Sequence, residues 1–136
     1  MKVAFPFHYI TTNRFGKVFR PYAKIHVLKK DLGVWLERIL VVDTGADFTI
    51  FPRKDAYLFG INLEKETTKE ETFGVGGKES IFLYPKLKIK MGSVELAIPA
   101  GFLDTNDIPA LLGRQLFLEL FNVSFINYTT VFEKHL

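Results

Sequence analysis

The stretch LVVDTGADFTIFP, from Leu40 to Pro52, places an acid directly behind a run of apolar residues. The apolar run from Ile39 to Val42 predicts the end of a buried strand, and Asp43 follows it immediately. Burying a carboxylate is costly unless another group holds it or a reaction uses it. Asp43 is therefore either a structural residue that closes a turn or a reagent. Thr44 adds a hydroxyl, and Gly45 permits a sharp turn or the close approach of another backbone segment.

The composition is that of a single folded domain. The 136 residues are 48% hydrophobic, 15% aromatic and 24% charged, which excludes intrinsic disorder. The net charge of +3 is mild, and the basic residues are scattered among acids, which argues against nucleic acid as a partner. In KLKIKM, from Lys86 to Met91, lysines alternate with apolar residues, so we expect the lysines on the solvent face of a strand.

Several classes of site are excluded by residues that the chain lacks or spaces widely. There is no cysteine, so disulfides, thiolate nucleophiles and zinc–cysteine sites are excluded. His8, His26 and His135 lack metal-ligand spacing, and no metal or cofactor is expected. The first 16 residues make a poor signal peptide, and no apolar run reaches membrane-spanning length. We therefore expect a cytoplasmic protein without a membrane partner.

The arrangement of elements predicts a mainly β protein. Four segments rich in β-branched and aromatic residues are separated by turn-like clusters: Val18 to Leu28, Val34 to Val42, Ser80 to Met91 and Val94 to Leu103. Pro52 and Gly60 bracket a short helix or turn. Apolar residues at i,i+4 spacing between Gly113 and Phe121 predict a second short helix packed on the sheet. Many short strands with one late helix favour a compact β barrel or sandwich.

A glycine cluster in ETFGVGGKES, made of Gly74, Gly76 and Gly77, lies between two strand-like arms. A phosphate-binding loop is excluded, because the lysine spacing and the following helix are absent. A hairpin with a flexible tip fits better, and such a hairpin can close over a ligand and exclude water. An ordinary glycine-rich turn explains this segment equally well.

The segment PALLGRQLFLELF places Arg114 at the start of the predicted late helix, beside apolar residues. An arginine in that position favours a carboxylate partner, and Asp47 is the candidate. The alternative is a surface arginine at a helix start.

Taken in order, D-T-G-A after an apolar strand, a glycine-tipped hairpin and then L-L-G-R resemble the retroviral-type aspartic proteases, the retropepsins. The likeness runs from about Arg20 to Phe125 and includes RPYAKIHV as a first inner strand. The resemblance implies a single-lobed, closed barrel-like acid-protease fold. It also implies a homodimeric endopeptidase in which Asp43 meets its copy from the partner chain, and the two share a proton and activate a water.

The resemblance also assigns roles to individual residues. Asp43 is the catalytic residue, and the supporting residues are Thr44, Gly45, Asp47 and Arg114. Residues matching substrate-binding positions are Ala46 in the cleft, the flap residues Gly74, Val75, Gly76 and Gly77, and the pocket-wall residues Ile108, Pro109, Ala110 and Leu111. The apolar walls imply a polypeptide substrate with hydrophobic residues beside the cleaved bond. Asp104 in LDTND is not a second catalytic acid, because Asn106 replaces the glycine.

The chain departs from the family at its ends, with an extension of about residues 1–17 and another of about residues 126–136. In the family the termini of both subunits interleave in the dimer sheet. Here that sheet is built differently, or the extensions add strands or cover the cleft. The alternative function is a catalytically silent peptide-binding or dimerisation module with the same fold.

Overall fold

The computed structural model describes residues 1–74 and 77–134, which are mainly β. The strands are β1 (Lys2–Pro6), β2 (His8–Asn13), β3 (Gly16–Arg20), β4 (Tyr22–Lys29), β5 (Val34–Val42), β6 (Thr49–Pro52), β7 (Thr68–Gly74), β8 (Gly77–Met91), β9 (Val94–Leu103), β10 (Leu111–Leu112), β11 (Asn122–Ile126) and β12 (Thr129–Glu133). Two short α-helices, α1 (Arg53–Leu58) and α2 (Leu63–Glu66), and a 3-10 helix (Leu118–Leu120) complete the fold. In this described part of the chain, no helix has the length and apolar character needed to cross a membrane.

The main sheet has seven strands in the order β4-β5-β10-β6-β9-β8-β7, and β8 also pairs with β4. The two-residue strand β10 lies between β5 and β6, parallel to the first and antiparallel to the second, with Leu111 opposite both Val41 and Ile50. This arrangement brings three separate chain segments to one point at the end of β5. The mainly β prediction is confirmed, while the closed barrel stays a prediction.

The core is formed by residues of this sheet together with residues of the helices and of the C-terminal segment, and it is rich in phenylalanine. Phe51 packs against Phe59 and Phe102, with ring centroids 5.2 and 5.7 Å away. All three rings are fully buried. In β8 the lysines between Lys86 and Met91 are more exposed than the buried apolar residues that alternate with them, as predicted.

The terminal segments add strands of their own. The antiparallel sheet β1-β12-β11 joins the first strand to the last two, and β2 and β3 form a separate hairpin. The turn from β11 to β12 consists of Asn127 and Tyr128, with φ angles of 48° and 57°. Two consecutive left-handed residues match the right-handed twist of a two-residue hairpin. Of the alternatives left open for the extensions, the structure contains added strands.

The expected strand from Val18 to Leu28 is interrupted at Pro21. Proline lacks the N–H that a continuous ladder needs. The chain therefore leaves the β2–β3 hairpin before it enters the main sheet as β4.

The α-helix expected from Gly113 to Phe121 is not confirmed. Leu116 has a φ of 53°, a left-handed conformation that no α-helix accommodates, and only the 3-10 helix follows. The predicted inner face is retained, because Phe117 and Phe121 are buried while Leu116 is exposed.

The short helix predicted between Pro52 and Gly60 is confirmed as α1. Gly60 has a φ of 74° and donates its N–H to the Tyr57 carbonyl at 3.1 Å, which ends the helix.

A partly buried ion pair joins α1 to β5, the strand that leads to Asp43. The Arg38 Nη2 atom donates to the Asp55 Oδ2 atom at 2.6 Å, and the Asp55 side chain is only 2% exposed. Burial raises the pKa of the Asp55 carboxyl, and the Arg38 guanidinium opposes that rise.

Candidate active site

Asp43 follows the last residue of β5, and neighbouring segments fix its backbone from two sides. The Asp43 N–H donates to the Leu112 carbonyl in β10 at 3.0 Å. The preceding residue, Val42, donates its N–H to the Pro21 carbonyl at 2.9 Å. The backbone that carries the acid is therefore part of the sheet ladder, which limits its movement.

The Asp43 side chain is half-buried and is held by the loop that follows it. Its Oδ1 atom accepts the Gly45 N–H at 2.9 Å, and the Ala46 N–H closes a turn on the Asp43 carbonyl at 3.2 Å. Among the described residues, the Oδ2 atom has no hydrogen-bond partner. One oxygen thus orients the carboxylate, and the other is available for a ligand or a reaction.

The predicted ion pair between Arg114 and Asp47 is confirmed. The Arg114 Nη2 atom donates to the Asp47 Oδ1 atom at 2.6 Å. Two backbone bonds reinforce the contact, from Arg114 N–H to the Ala46 carbonyl at 3.0 Å and from Gln115 N–H to the Asp47 carbonyl at 2.7 Å. Both charged side chains are exposed, so the ion pair itself adds at most about 1 kcal/mol. Its main effect is to hold the D-T-G-A loop against the L-L-G-R segment.

Gly113 allows a very close approach between two backbones at this point. A Cβ atom on Gly113 would lie 2.3 Å from the carbonyl carbon and oxygen of Phe48. The Gly113 N–H donates to the Oγ1 atom of Thr49, which is fully buried, at 3.2 Å. The sequence pattern alone does not indicate a role for Phe48 or Thr49. The one sequence feature that could have indicated a role for Thr49 is its hydroxyl, which begins the otherwise apolar strand TIFP.

The predicted glycine-tipped hairpin is confirmed as β7 and β8, in which Gly74 and Gly77 are paired. Val75 and Gly76, the predicted flap tip, lie outside the described residues. Gly77 has a φ of 102°, which requires glycine. The role of the hairpin as a flap stays a prediction.

The predicted pocket-wall residues precede and enter β10. Ile108 and Pro109 lie in the loop after β9, Ile108 half-buried and Pro109 exposed. Ala110 is 5% exposed and accepts the Val41 N–H at 2.9 Å, so it contributes mainly to the support of β5. Leu111 is half-buried beside Val41, two residues before Asp43.

An apolar cavity of about 410 Å³ lies against the loop that follows Asp43. Phe48 and Gln115, which flank the contact between Asp47 and Arg114, line one part of it. The hairpin and β9 supply the remainder of the lining: Thr68, Glu70, Leu83, Tyr84, Pro85, Pro99 and Ala100. Among the described residues that line this cavity, Glu70 is the only charged one.

Within residues 1–74 and 77–134, no group of three or more histidine, aspartate or glutamate side chains could hold a metal ion. His135, the last of the three histidines in the sequence, lies outside these residues.

A sequence model of the family described as aspartyl protease matches residues 37–116, which contain the D-T-G-A loop, the glycine-tipped hairpin and the L-L-G-R segment. The chain belongs to this aspartyl protease family. Its fold is similar to that of a retropepsin-like aspartic protease from Rickettsia conorii, with a TM-score of 0.67 and 19% sequence identity. The match covers 96% of this chain and 98% of the Rickettsia chain. No curated protein sequence gives a significant match.

The retropepsin-like fold expected from the sequence is thereby confirmed. Membership of the aspartyl protease family supports a protease function in general.

Proposed function

We propose that this aspartyl protease is a homodimeric endopeptidase in which each chain supplies one catalytic acid, Asp43. The observation that carries the proposal is the state of the Asp43 carboxylate. The Gly45 N–H orients one oxygen at 2.9 Å, and the other has no partner among the described residues. The family match over residues 37–116, which include Asp43, favours a reactive acid over one that only closes a turn.

The proposed reaction needs a second carboxylate, because water is a weak nucleophile and the peptide carbonyl a weak electrophile. The chain has a single D-T-G motif, so the second acid comes from another copy. Two carboxylates placed close together cannot both ionise comfortably, and they share one proton. The ionised Asp43 then removes a proton from the bound water, while the protonated Asp43 donates a hydrogen bond to the scissile carbonyl.

The loop around Asp43 suits this arrangement. Thr44 is exposed, and its hydroxyl makes no hydrogen bond within residues 1–74 and 77–134, so it is available to the second copy. The contact between Asp47 and Arg114 keeps the loop in place for substrate backbone to bind beside Ala46.

The substrate preference is proposed from the cavity beside the loop. Its lining is largely apolar, with Phe48 and Leu83 as large aromatic and aliphatic groups. We therefore expect cleavage of polypeptides with hydrophobic residues near the cleaved bond. The flap residues Gly74, Val75, Gly76 and Gly77 and the wall residues Ile108, Pro109 and Leu111 complete the proposed binding cleft.

The test is cleavage of an unfolded, apolar-rich polypeptide from acidic to neutral pH, with the cuts mapped by mass spectrometry. Asp43→Asn removes the proposed acid at nearly constant volume, and Asp104→Asn is the matched control in the near-miss motif LDTND. We expect cleavage by the native chain and by Asp104→Asn, and a loss of at least about a thousandfold for Asp43→Asn. No cleavage by a folded, dimeric native protein would favour the silent binding module instead.

A further inference from the structure

We propose that the β2–β3 hairpin and the β11–β12 turn form the surface on which a second copy of this chain docks. The inference rests on the proposed function, which requires two copies, and it goes further by assigning the contact surface. The core of this surface is a set of five aromatic rings, hereafter the aromatic face: Phe7, Tyr9, Phe19, Phe125 and Tyr128.

The rings of the aromatic face form a continuous series of contacts. Tyr9 lies 5.7 Å from Phe19, and Phe19 lies 5.0 Å from Tyr128. Tyr128 is 6.0 Å from Phe7, which is 6.1 Å from Phe125. The rings come from both terminal segments and meet outside the core of the main sheet, so the fold gives them no further layer to pack against.

Much of this surface is exposed in a single chain. Tyr9, Phe125 and Tyr128 are 55%, 49% and 66% exposed, and Phe15 at the tip of the hairpin is 94% exposed. At about 200 Å² per aromatic side chain, Tyr9, Phe125 and Tyr128 present roughly 340 Å² of surface. That is within the range of about 300–600 Å² for the largest apolar patch of a monomer. It is also about two fifths of the roughly 800 Å² that each partner buries in a standard interface.

The strand β2 adds an unpaired edge to the same surface. All six of its residues, HYITTN, are exposed, and β3 is its only strand partner within the described part of the chain. The strand contains no acid, lysine, arginine or proline, which are the residues that normally protect an exposed edge. The pairing with β3 shifts register between Tyr9 and Thr11, and the edge on either side of this irregularity is open to another chain.

The chemistry of the surface favours a second copy over a different protein. In a two-fold dimer the same patch faces itself, so charged groups would meet their own copies and repel. The aromatic face and β2 carry no lysine, arginine or acid, and the three basic residues of the hairpin lie in its turn and in β3: Arg14, Lys17 and Arg20. Aromatic enrichment with depleted charge is also the composition of the buried centre of protein interfaces.

The surface is also connected to the catalytic loop. β3 ends at Arg20, and the next residue, Pro21, accepts the N–H of Val42 immediately before Asp43. At the base of the hairpin, the His8 ring stacks on Tyr22 of β4 at 4.4 Å. A copy docked on this hairpin therefore lies at the end of β5 from which Asp43 extends, where the proposed reaction needs a second acid.

Two variants test the docking surface with little risk to the fold. Tyr128→Asn places in a left-handed position, at φ 57°, a residue that tolerates this conformation better than tyrosine. Phe15→Ser changes a side chain that is 94% exposed. The control is Leu32→Asn, which changes a 67% exposed leucine in the turn at the far end of β4 and β5.

The measurement is sedimentation equilibrium of each protein over a range of concentrations, together with the cleavage assay. We expect a dimer for the native chain and for Leu32→Asn. For Tyr128→Asn and Phe15→Ser we expect the dimer dissociation constant to rise at least about tenfold, with cleavage falling in proportion to the dimer fraction.

The other outcomes separate the two proposals. If both variants dimerise with unchanged affinity, the proposed docking surface is wrong. If these variants also cleave the substrate at an unchanged rate, the proposed function is retained, and the dimer forms through another interface. A native chain that is monomeric at every concentration would overturn the docking surface. If that monomer still cleaved peptides, the shared-acid reaction would fail as well.

Discussion

Replacing Gly113 with alanine tests the backbone contact beside the catalytic loop. The added Cβ atom would lie 2.3 Å from the carbonyl carbon and oxygen of Phe48 and 2.8 Å from its Cα atom. Normal van der Waals separation is about 3.5 Å, so one backbone must move by roughly 1 Å. These are backbone atoms, and no side-chain rotation relieves the overlap.

The cost follows from that geometry. Overpacking in a close-packed site costs about 1–3 kcal/mol, and a clash between backbones belongs at the upper end. The movement would also weaken the buried bond from the Gly113 N–H to Thr49, which contributes about 1 kcal/mol. We therefore expect Gly113→Ala to lower the free energy of unfolding by at least about 3 kcal/mol.

Urea unfolding measures this effect, with Gly33→Ala as the matched control. A Cβ on Gly33 meets no atom within 4 Å, but its φ of 66° is strained for alanine. Its expected loss is about 1–2 kcal/mol. A loss for Gly113→Ala below that of Gly33→Ala would refute the close approach of these two segments.

Two further predictions concern buried polar groups. Burial raises the pKa of Asp55, so its contribution to stability is present at acidic pH, below the unfolded pKa, and is lost as the pH rises through the folded pKa. We measure the free energy of unfolding of the native chain and of Asp55→Asn by urea unfolding between pH 4 and pH 8. The stability of the native chain relative to the variant should increase as the pH falls. An increase toward alkaline pH would contradict the raised pKa of Asp55. Thr49→Val leaves the buried Gly113 N–H without an acceptor, so we expect it to lower the free energy of unfolding by about 1–3 kcal/mol. Thr49→Ser keeps the hydroxyl oxygen and should lower it by only about 1 kcal/mol, because a methyl group is lost. A serine variant less stable than the valine variant in the same assay would show that the hydroxyl is not needed.

The parts of the site that the sequence predicts are those with local signals. An apolar run that ends in D-T-G places Asp43 at the end of a buried strand, and the structure puts it after β5. The pairing of Asp47 with Arg114 follows from the expectation that an arginine beside apolar residues needs a carboxylate. Pro52 and Gly60 likewise bracket α1, because each imposes a specific backbone conformation.

The parts that were missed depend on contacts distant in the sequence. The i,i+4 spacing after Gly113 favours a helix, but the left-handed Leu116 replaces it with turns that still bury Phe117. The role of Thr49 depends on a partner 64 positions away in the chain. The exposure of the aromatic rings in the terminal segments is also not predicted by the sequence. Tyrosine and phenylalanine in strands are ordinarily assigned to a core.

The most direct test of the central claim is to mix the native chain with inactive Asp43→Asn protein and allow the subunits to exchange. If each active site takes one Asp43 from each chain, native chains paired with the variant are inactive. At a ninefold excess of variant and random exchange, cleavage per native chain should fall to about one tenth. Cleavage per native chain that did not change with the variant excess, with exchange verified, would show that one chain carries a complete active site and would contradict the account.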